Sequence, residues 1–160
     1  MQVKIIRRDS FLVMGKIGQG KISTDATWIQ SLWNETKTEF ETLSYYAKRE
    51  VNGEIIGLWG ITNDCSGKFL PCQEKEGEYM AGIEVDKNIV LPDGWTVWEV
   101  PAFTYLVVEC RKKNYKRVVS YILVDYMTTE YFRLVGAIQE FYDYKENSDM
   151  VTLYFPIERL

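Results

Sequence analysis

The chain has 160 residues, of which 46% are hydrophobic and 26% are charged, a balance typical of one folded globular domain. Its formal net charge is −4, without a sustained run of Lys and Arg. We therefore expect no direct nucleic-acid binding, which requires a concentrated basic surface. The absence of histidine and the wide spacing of the three cysteines exclude histidine-based metal sites and catalytic triads. No metal or organic cofactor is implied.

The apolar runs of the sequence are too short and too interrupted for a signal sequence or a membrane-spanning helix. We interpret the three cysteines as reduced, which is usual for proteins in the cytosol. The sequence therefore predicts a cytoplasmic protein without a membrane partner.

The first half of the chain predicts a strand, a helix and two further strands. An extended segment over residues 2–18 precedes a helix over residues 27–49, whose apolar side chains recur at helical spacing. Residues 55–62 and 79–86 have the composition of strands.

The second half of the chain predicts the same order. A long extended run over residues 95–110 is interrupted by Pro101, and a helix is expected over residues 114–128. Strands are expected over residues 135–145 and 150–157.

This repeated βαββ order predicts an α+β fold. Two helices would cover two antiparallel sheets or one curved sheet. We expect residues 1–160 to form a single domain with pseudo-repeats at about 1–88 and 89–160. A central ligand cleft is expected between the two halves.

The stretch LVGAIQEFYDYK, residues 134–145, places a carboxylate on an otherwise apolar and aromatic strand face. Strand alternation puts Glu140 beside Ile138, Tyr142 and Tyr144, where an unpartnered carboxylate would be unfavourable. Two interpretations are open. Glu140 lies at a solvated sheet edge or pairs with a basic side chain, or it lies at the base of an aromatic pocket and meets a cationic ligand.

Residues 79–110 resemble the signature of the GyrI-like, AraC-type effector-binding domains of bacterial transcription regulators. The corresponding residues are Tyr79, Gly82, the turn Pro92-Asp93-Gly94 and the segment Val100-Pro101-Ala102-Phe103-Thr104-Tyr105. Phe103 stands where this family usually has glycine. The later run Gln139-Glu140-Phe141-Tyr142 is similar to the family's F-E-x-Y motif, with Gln139 in place of the usual aromatic residue. The resemblance extends over nearly the whole chain.

The resemblance implies multidrug binding, in which Glu140 meets the positive charge of lipophilic aromatic cations. It also implies that Trp59 and Tyr105 line the pocket, since they match aromatic residues of the family. Additional candidates for the pocket wall are Tyr142, Trp33, Trp95 and Trp98.

Two other functions stay open at this point. The resemblance also extends to relatives of GyrI-like proteins that hydrolyse strained, electrophilic natural products of the cyclopropanoid type. In that case Glu140 would act as the base on water, and Tyr105 or Tyr142 would polarise the leaving oxygen. Alternatively, a protein-interaction or inhibitor module would fill the cleft with its own side chains. The resemblance favours a ligand-binding module over an enzyme, one that acts without a DNA-binding helix-turn-helix and passes its signal to a protein partner or buffers toxic compounds.

Overall fold

The computed structural model describes residues 1–23, 25–143 and 148–160, and it has an α+β fold with eight strands in one antiparallel sheet. The strands are β1 (Val3–Arg8), β2 (Phe11–Lys21), β3 (Leu58–Asp64), β4 (Glu76–Val85), β5 (Thr96–Val100), β6 (Phe103–Arg111), β7 (Gln139–Tyr142) and β8 (Met150–Arg159). The helices are α1 (Thr27–Thr38), α2 (Phe40–Tyr46), α3 (Tyr115–Tyr121) and the short α4 (Met127–Thr129). A 3₁₀ turn (Lys112–Asn114) precedes α3 and a π-helical turn (Ile122–Tyr126) links it to α4, so residues 112–129 form one continuous helical segment.

The strand order shows how the two halves of the chain are joined. The order is β1-β6-β8-β7-β3-β4-β2-β5. β1 precedes β2 in the chain but pairs with β6, while β5 precedes β6 but pairs with β2. Each half therefore donates its first strand to the other half, and β7 and β3 meet at the centre of the sheet.

The described helices lie on the face of the sheet that carries Glu140. Leu32 of α1 and Leu43 of α2 pack over β4, and Ile122 of the second helical segment packs over β6 and β8. Burial of each such side chain contributes about 1.5–3 kcal/mol. Within the described part of the chain, no helix combines the length and apolarity that crossing a bilayer would require.

The first half differs from its predicted elements at two places. The predicted extended segment, residues 2–18, is two strands, because β1 leaves its own half to pair with β6. The predicted helix over residues 27–49 is wrong beyond Tyr46 and is interrupted at Glu39, whose backbone angles are φ −110° and ψ 27°. Ala47 ends the helix because its backbone is extended and bridges to Val85.

The second half differs in the length of its central strand. The strand predicted over residues 135–145 is regular only from Gln139 to Tyr142. Before it, the amide of Val135 donates to the carbonyl of Pro156 and the amide of Ala137 donates to that of Phe69, so the chain runs irregularly along the sheet. Residues 144 and 145 of that prediction lie outside the described residues.

Candidate ligand-binding site

Glu140 lies on β7 at the junction of the two halves of the sheet. Its register partners are Gly60 on β3 and Leu153 on β8. Register partners in an antiparallel sheet project to the same face, so the Glu140 side chain projects toward the helices. The residue is half-buried, between the helices of the first half and the helical segment of the second.

The Glu140 carboxylate accepts hydrogen bonds from three tyrosine hydroxyls. Tyr79 and Tyr142 donate to Oε1 at 2.5 Å and 2.9 Å, and Tyr115 donates to Oε2. Tyr79 comes from β4, Tyr142 from β7 and Tyr115 from α3, so both halves of the chain contribute. An ionised carboxylate has about four acceptor positions, and neutral donors fill three of them here.

Tryptophans of α1 extend this cluster into an aromatic wall. The Nε1 of Trp33 donates to the Tyr79 hydroxyl at 3.0 Å, and the Trp33 ring stands edge-on to Tyr142 with centroids 5.6 Å apart. Trp28 stands edge-on to Tyr79 at 6.5 Å. On the other side of the site, the Lys112 ammonium lies 5.2 Å from the Tyr142 ring centroid, a distance at which a ring attracts a cation.

Gly60 provides the space in which the carboxylate and Tyr79 meet. A Cβ on Gly60 would lie 1.9 Å from the Tyr79 hydroxyl oxygen and 2.7 Å from Glu140 Oε1. Both distances are far shorter than any van der Waals contact, so a larger residue would displace the hydrogen-bonded pair. The glycine is therefore required by close approach rather than by backbone conformation.

Burial and hydrogen bonding act in opposite directions on the pKa of Glu140. Burial raises this pKa above its ordinary value of 4.5, while the hydrogen bonds from Tyr115, Tyr79 and Tyr142 lower it and offset part of the rise. Burial, reinforced by the negative charge of Glu140, raises the pKa of all three tyrosines. The hydroxyls therefore remain protonated donors at neutral pH.

The structure brings together some of the residues predicted for the pocket. Glu140, Tyr142 and Trp33 belong to the cluster just described. Trp95 lies on the same face but at the β2–β5 edge, where it packs with Met14, and the Lys16 ammonium lies 4.2 Å from its ring centroid.

The other predicted aromatic residues lie on the opposite face of the sheet. Gly60 faces Glu140, so strand alternation turns Trp59 away from it. Trp59 packs in a separate cluster that Trp98 adjoins, and Tyr105 packs with Phe103 and Val107. These three residues therefore lie outside the site around Glu140.

Tyr79 and Tyr115 belong to the site but are not among the residues that the sequence predicts for it. Tyr79 is the first residue of the family-like signature and of the strand predicted over residues 79–86. Strand alternation indicates which residues share its face but not which side chain it contacts. Tyr115 lies near the start of a predicted helix. Its proximity to Glu140 depends on how that helix packs over the sheet, which no local pattern encodes.

This fold is that of the GyrI-like effector-binding domains. The family model described as Cass2, integron-associated effector binding protein, matches residues 4–157, and the chain belongs to this family. No curated protein sequence matches the chain.

Solved structures share the fold at low sequence identity. SAV2435 bound to tetraphenylphosphonium superposes with a TM-score of 0.73 at 16% identity, covering 99% of this chain and 94% of that one. The integron cassette protein VCH_CASS2 from the mobile metagenome of Vibrio cholerae gives a TM-score of 0.58 at 11% identity, with 98% and 95% coverage. EcmrR in a complex with DNA gives a TM-score of 0.64 at 11% identity, and the match covers 99% of this chain but 58% of EcmrR.

Proposed function

We propose that this domain binds lipophilic aromatic cations, with Glu140 as the counter-charge and the surrounding rings as the pocket wall. The observation that carries this proposal is the set of partners around the carboxylate. Glu140 is half-buried and accepts hydrogen bonds from three neutral hydroxyls. It forms no salt bridge with any Lys or Arg among the described residues.

A cation would complete this arrangement at low cost. The tyrosine hydroxyls satisfy the Glu140 carboxylate in the free protein in place of a Lys or Arg side chain. A cationic ligand therefore does not have to displace a basic side chain from Glu140. Each ring contact with a cation contributes about 0.5–2 kcal/mol, depending on desolvation. Ring faces and a single charge are less directional than a hydrogen-bond network, and they would therefore accept ligands of several shapes.

The comparisons support the same ligand class. SAV2435 was solved with tetraphenylphosphonium, a lipophilic cation with four aromatic rings. EcmrR, which shares the fold, was solved on DNA. By analogy, the present domain would report the presence of a ligand to a partner through a change in its cleft.

Quenching of tryptophan fluorescence by rhodamine 6G tests the proposal. Trp33 and Trp28 line the site, so a cationic dye bound there would quench their emission. We expect the parent protein to bind at micromolar concentration, equivalent to about −8 kcal/mol. Glu140→Gln, which keeps the size of the side chain and removes its charge, is expected to lose at least about 1 kcal/mol of affinity.

The matched control is Glu109→Gln, which removes an exposed carboxylate from the same sheet. It should bind the dye as the parent does. Equal dye affinity for the parent and Glu140→Gln, or no saturable quenching in either protein, would reject Glu140 as the anion of a cation site.

A further inference from the structure

The face of the sheet opposite Glu140 carries a second aromatic cluster. The Trp59 ring lies 5.0 Å from Phe11 and 5.1 Å from Tyr154, measured between centroids. Tyr154 in turn lies 5.3 Å from Tyr105. Phe11, Trp59 and Tyr105 are buried, whereas Tyr154 is only half-buried and gives the cluster an accessible side.

Arg8 of β1 supplies a positive charge to this cluster. Its guanidinium carbon lies 4.0 Å from the Phe11 ring centroid and 5.4 Å from that of Trp59. One of its nitrogens donates to Glu84 at 2.6 Å, and Lys48 lies 3.5 Å from the other oxygen of that carboxylate. The group of Arg8, Lys48 and Glu84 thus has two positive charges and one negative charge, and remains net positive.

Two buried donors in this cluster have no acceptor among the described residues. They are the Nε of Arg8 and the Nε1 of Trp59, and Trp59 is only 2% exposed. A buried donor without an acceptor is unfavourable, and the two lie on adjoining side chains. Neither the Tyr105 nor the Tyr154 hydroxyl donates a hydrogen bond within the described part of the chain either. The positive charge of Arg8 opposes the rise in the pKa of both tyrosines that burial causes, consistent with a guanidinium close to both.

We propose that this cluster is a second ligand site, specific for aromatic compounds that carry an anionic acceptor group such as a carboxylate or sulfonate. The acceptor oxygens would take the free N–H groups of Arg8 and Trp59, and the ligand ring would stack on the half-exposed rings of Tyr154 and Trp98.

The second site has the opposite chemistry to the first. The cleft around Glu140 offers an anion and lies under the helices, while the cluster around Arg8 and Trp59 offers donors and lies on the other face. The two ligands would therefore bind without competing for space. The proposed anion site does not depend on cation binding at Glu140, so either proposal can be rejected without the other.

Fluorescence of 8-anilinonaphthalene-1-sulfonate, an aromatic sulfonate, tests this second site. We expect saturable binding of one dye molecule per chain, unaffected by Glu140→Gln and undisplaced by excess tetraphenylphosphonium. Trp59→Phe keeps an aromatic ring but removes the N–H, and Arg8→Gln removes the charge. Each is expected to weaken dye binding by about fivefold or more, and Arg8→Lys should restore part of the affinity lost in Arg8→Gln.

Trp95→Phe is the matched control, because Trp95 lies on the face of the sheet that carries the helices. This variant should bind the dye with the affinity of the parent protein. Circular dichroism reports whether each variant is folded. If Trp59→Phe destabilises the fold, the Arg8 pair still decides the question, since that side chain is 30% exposed. Unchanged dye affinity in Arg8→Gln, displacement by tetraphenylphosphonium, or no saturable binding would overturn the proposal.

Discussion

Glu140 is held by hydroxyl groups rather than by a basic side chain, and this difference determines how the site responds to charge. A carboxylate paired with Lys or Arg is already neutralised, and a cationic ligand would have to displace that partner. Tyrosine hydroxyls satisfy the oxygens without cancelling the charge. The negative charge therefore remains available at the base of the aromatic wall, although burial raises the pKa of the carboxyl group.

The raised pKa predicts how cation affinity depends on pH. A cation binds the ionised carboxylate more tightly than the protonated carboxyl group, so cation binding lowers the pKa of Glu140 toward its ordinary value. Affinity should be constant at high pH and should fall, by up to about tenfold per pH unit, once the pH drops below the raised pKa of the free protein. Titration with tetraphenylphosphonium between about pH 8 and about pH 5 measures this.

Glu140→Gln supplies the control for the pH series. The amide does not titrate, so its weaker affinity should stay flat over the same range. A parent protein with no loss of affinity in acid would show that Glu140 does not change charge on binding.

Gly60 gives a second prediction at the scale of single residues. Gly60→Ala would place a methyl group 1.9 Å from the Tyr79 hydroxyl oxygen. Tyr79 is 1% exposed and cannot move aside freely. We expect a loss of about 1–3 kcal/mol of unfolding free energy from overpacking, measured by urea denaturation, together with weaker cation binding.

Gly18→Ala is a matched control for this effect. Its Cβ would lie 3.1 Å from the Trp28 ring, a tight contact with a half-buried side chain that has room to shift. This variant should lose clearly less stability than Gly60→Ala. Equal losses would mean that general crowding on the sheet, rather than the Tyr79–Glu140 contact, determines the cost.

Among the elements, the central strand and the helices show what local pattern can predict. Alternation in residues 134–145 correctly groups Glu140 with Tyr142, which share a hydrogen bond. It does not reveal that residues before Gln139 leave the regular ladder, because the amide of Ala137 bonds to the carbonyl of Phe69 in a distant loop. Likewise, helical spacing predicts α1 but not its break at Glu39, which lets α2 follow the sheet.

Thr36 provides a prediction for the end of α1. Its side chain is 1% exposed, and its hydroxyl has no hydrogen-bond partner among the described residues. Thr36→Val replaces this hydroxyl with a methyl group of similar size. We expect it to stabilise the protein by about 1 kcal/mol, measured as a higher urea midpoint.

Thr38→Val, two residues further along, is the control. It distinguishes the effect of removing the buried Thr36 hydroxyl from the effect that valine itself has on the stability of the helix. The Thr38 hydroxyl is exposed and donates to the Glu35 carbonyl at 2.7 Å, so its removal should be neutral or slightly destabilising. A destabilised Thr36→Val would indicate that the buried hydroxyl is hydrogen-bonded after all.

For the whole molecule, the pairing of β3 with β7 is what places the site at the junction of the two halves. β3 and β7 become neighbours at the centre of one sheet, so a tyrosine from each half reaches the same carboxylate. The sequence predicts the α+β class and the repeated order of helices and strands. It does not predict which strands pair across the halves, since that pairing depends on contacts between residues far apart in the chain.

The same limit explains the placement of the tryptophans. Strand alternation indicates which residues of one strand share a face, but it does not indicate which face of the sheet the helices cover. Trp59 and Glu140 therefore lie on opposite faces although their strands are neighbours. Residues 59 and 60 differ by one position, and that single step separates the proposed cation site from the proposed anion site.

Charge discrimination between two ions of the same shape tests the central claim most directly. Tetraphenylphosphonium and tetraphenylborate have nearly identical size and opposite charge, so calorimetric titration of both isolates the contribution of charge. We predict that the parent prefers the cation and that Glu140→Gln lowers the ratio of the two affinities by at least about tenfold, or about 1.4 kcal/mol. A ratio that is the same in both proteins would contradict the assignment of Glu140 as the charge that selects the ligand.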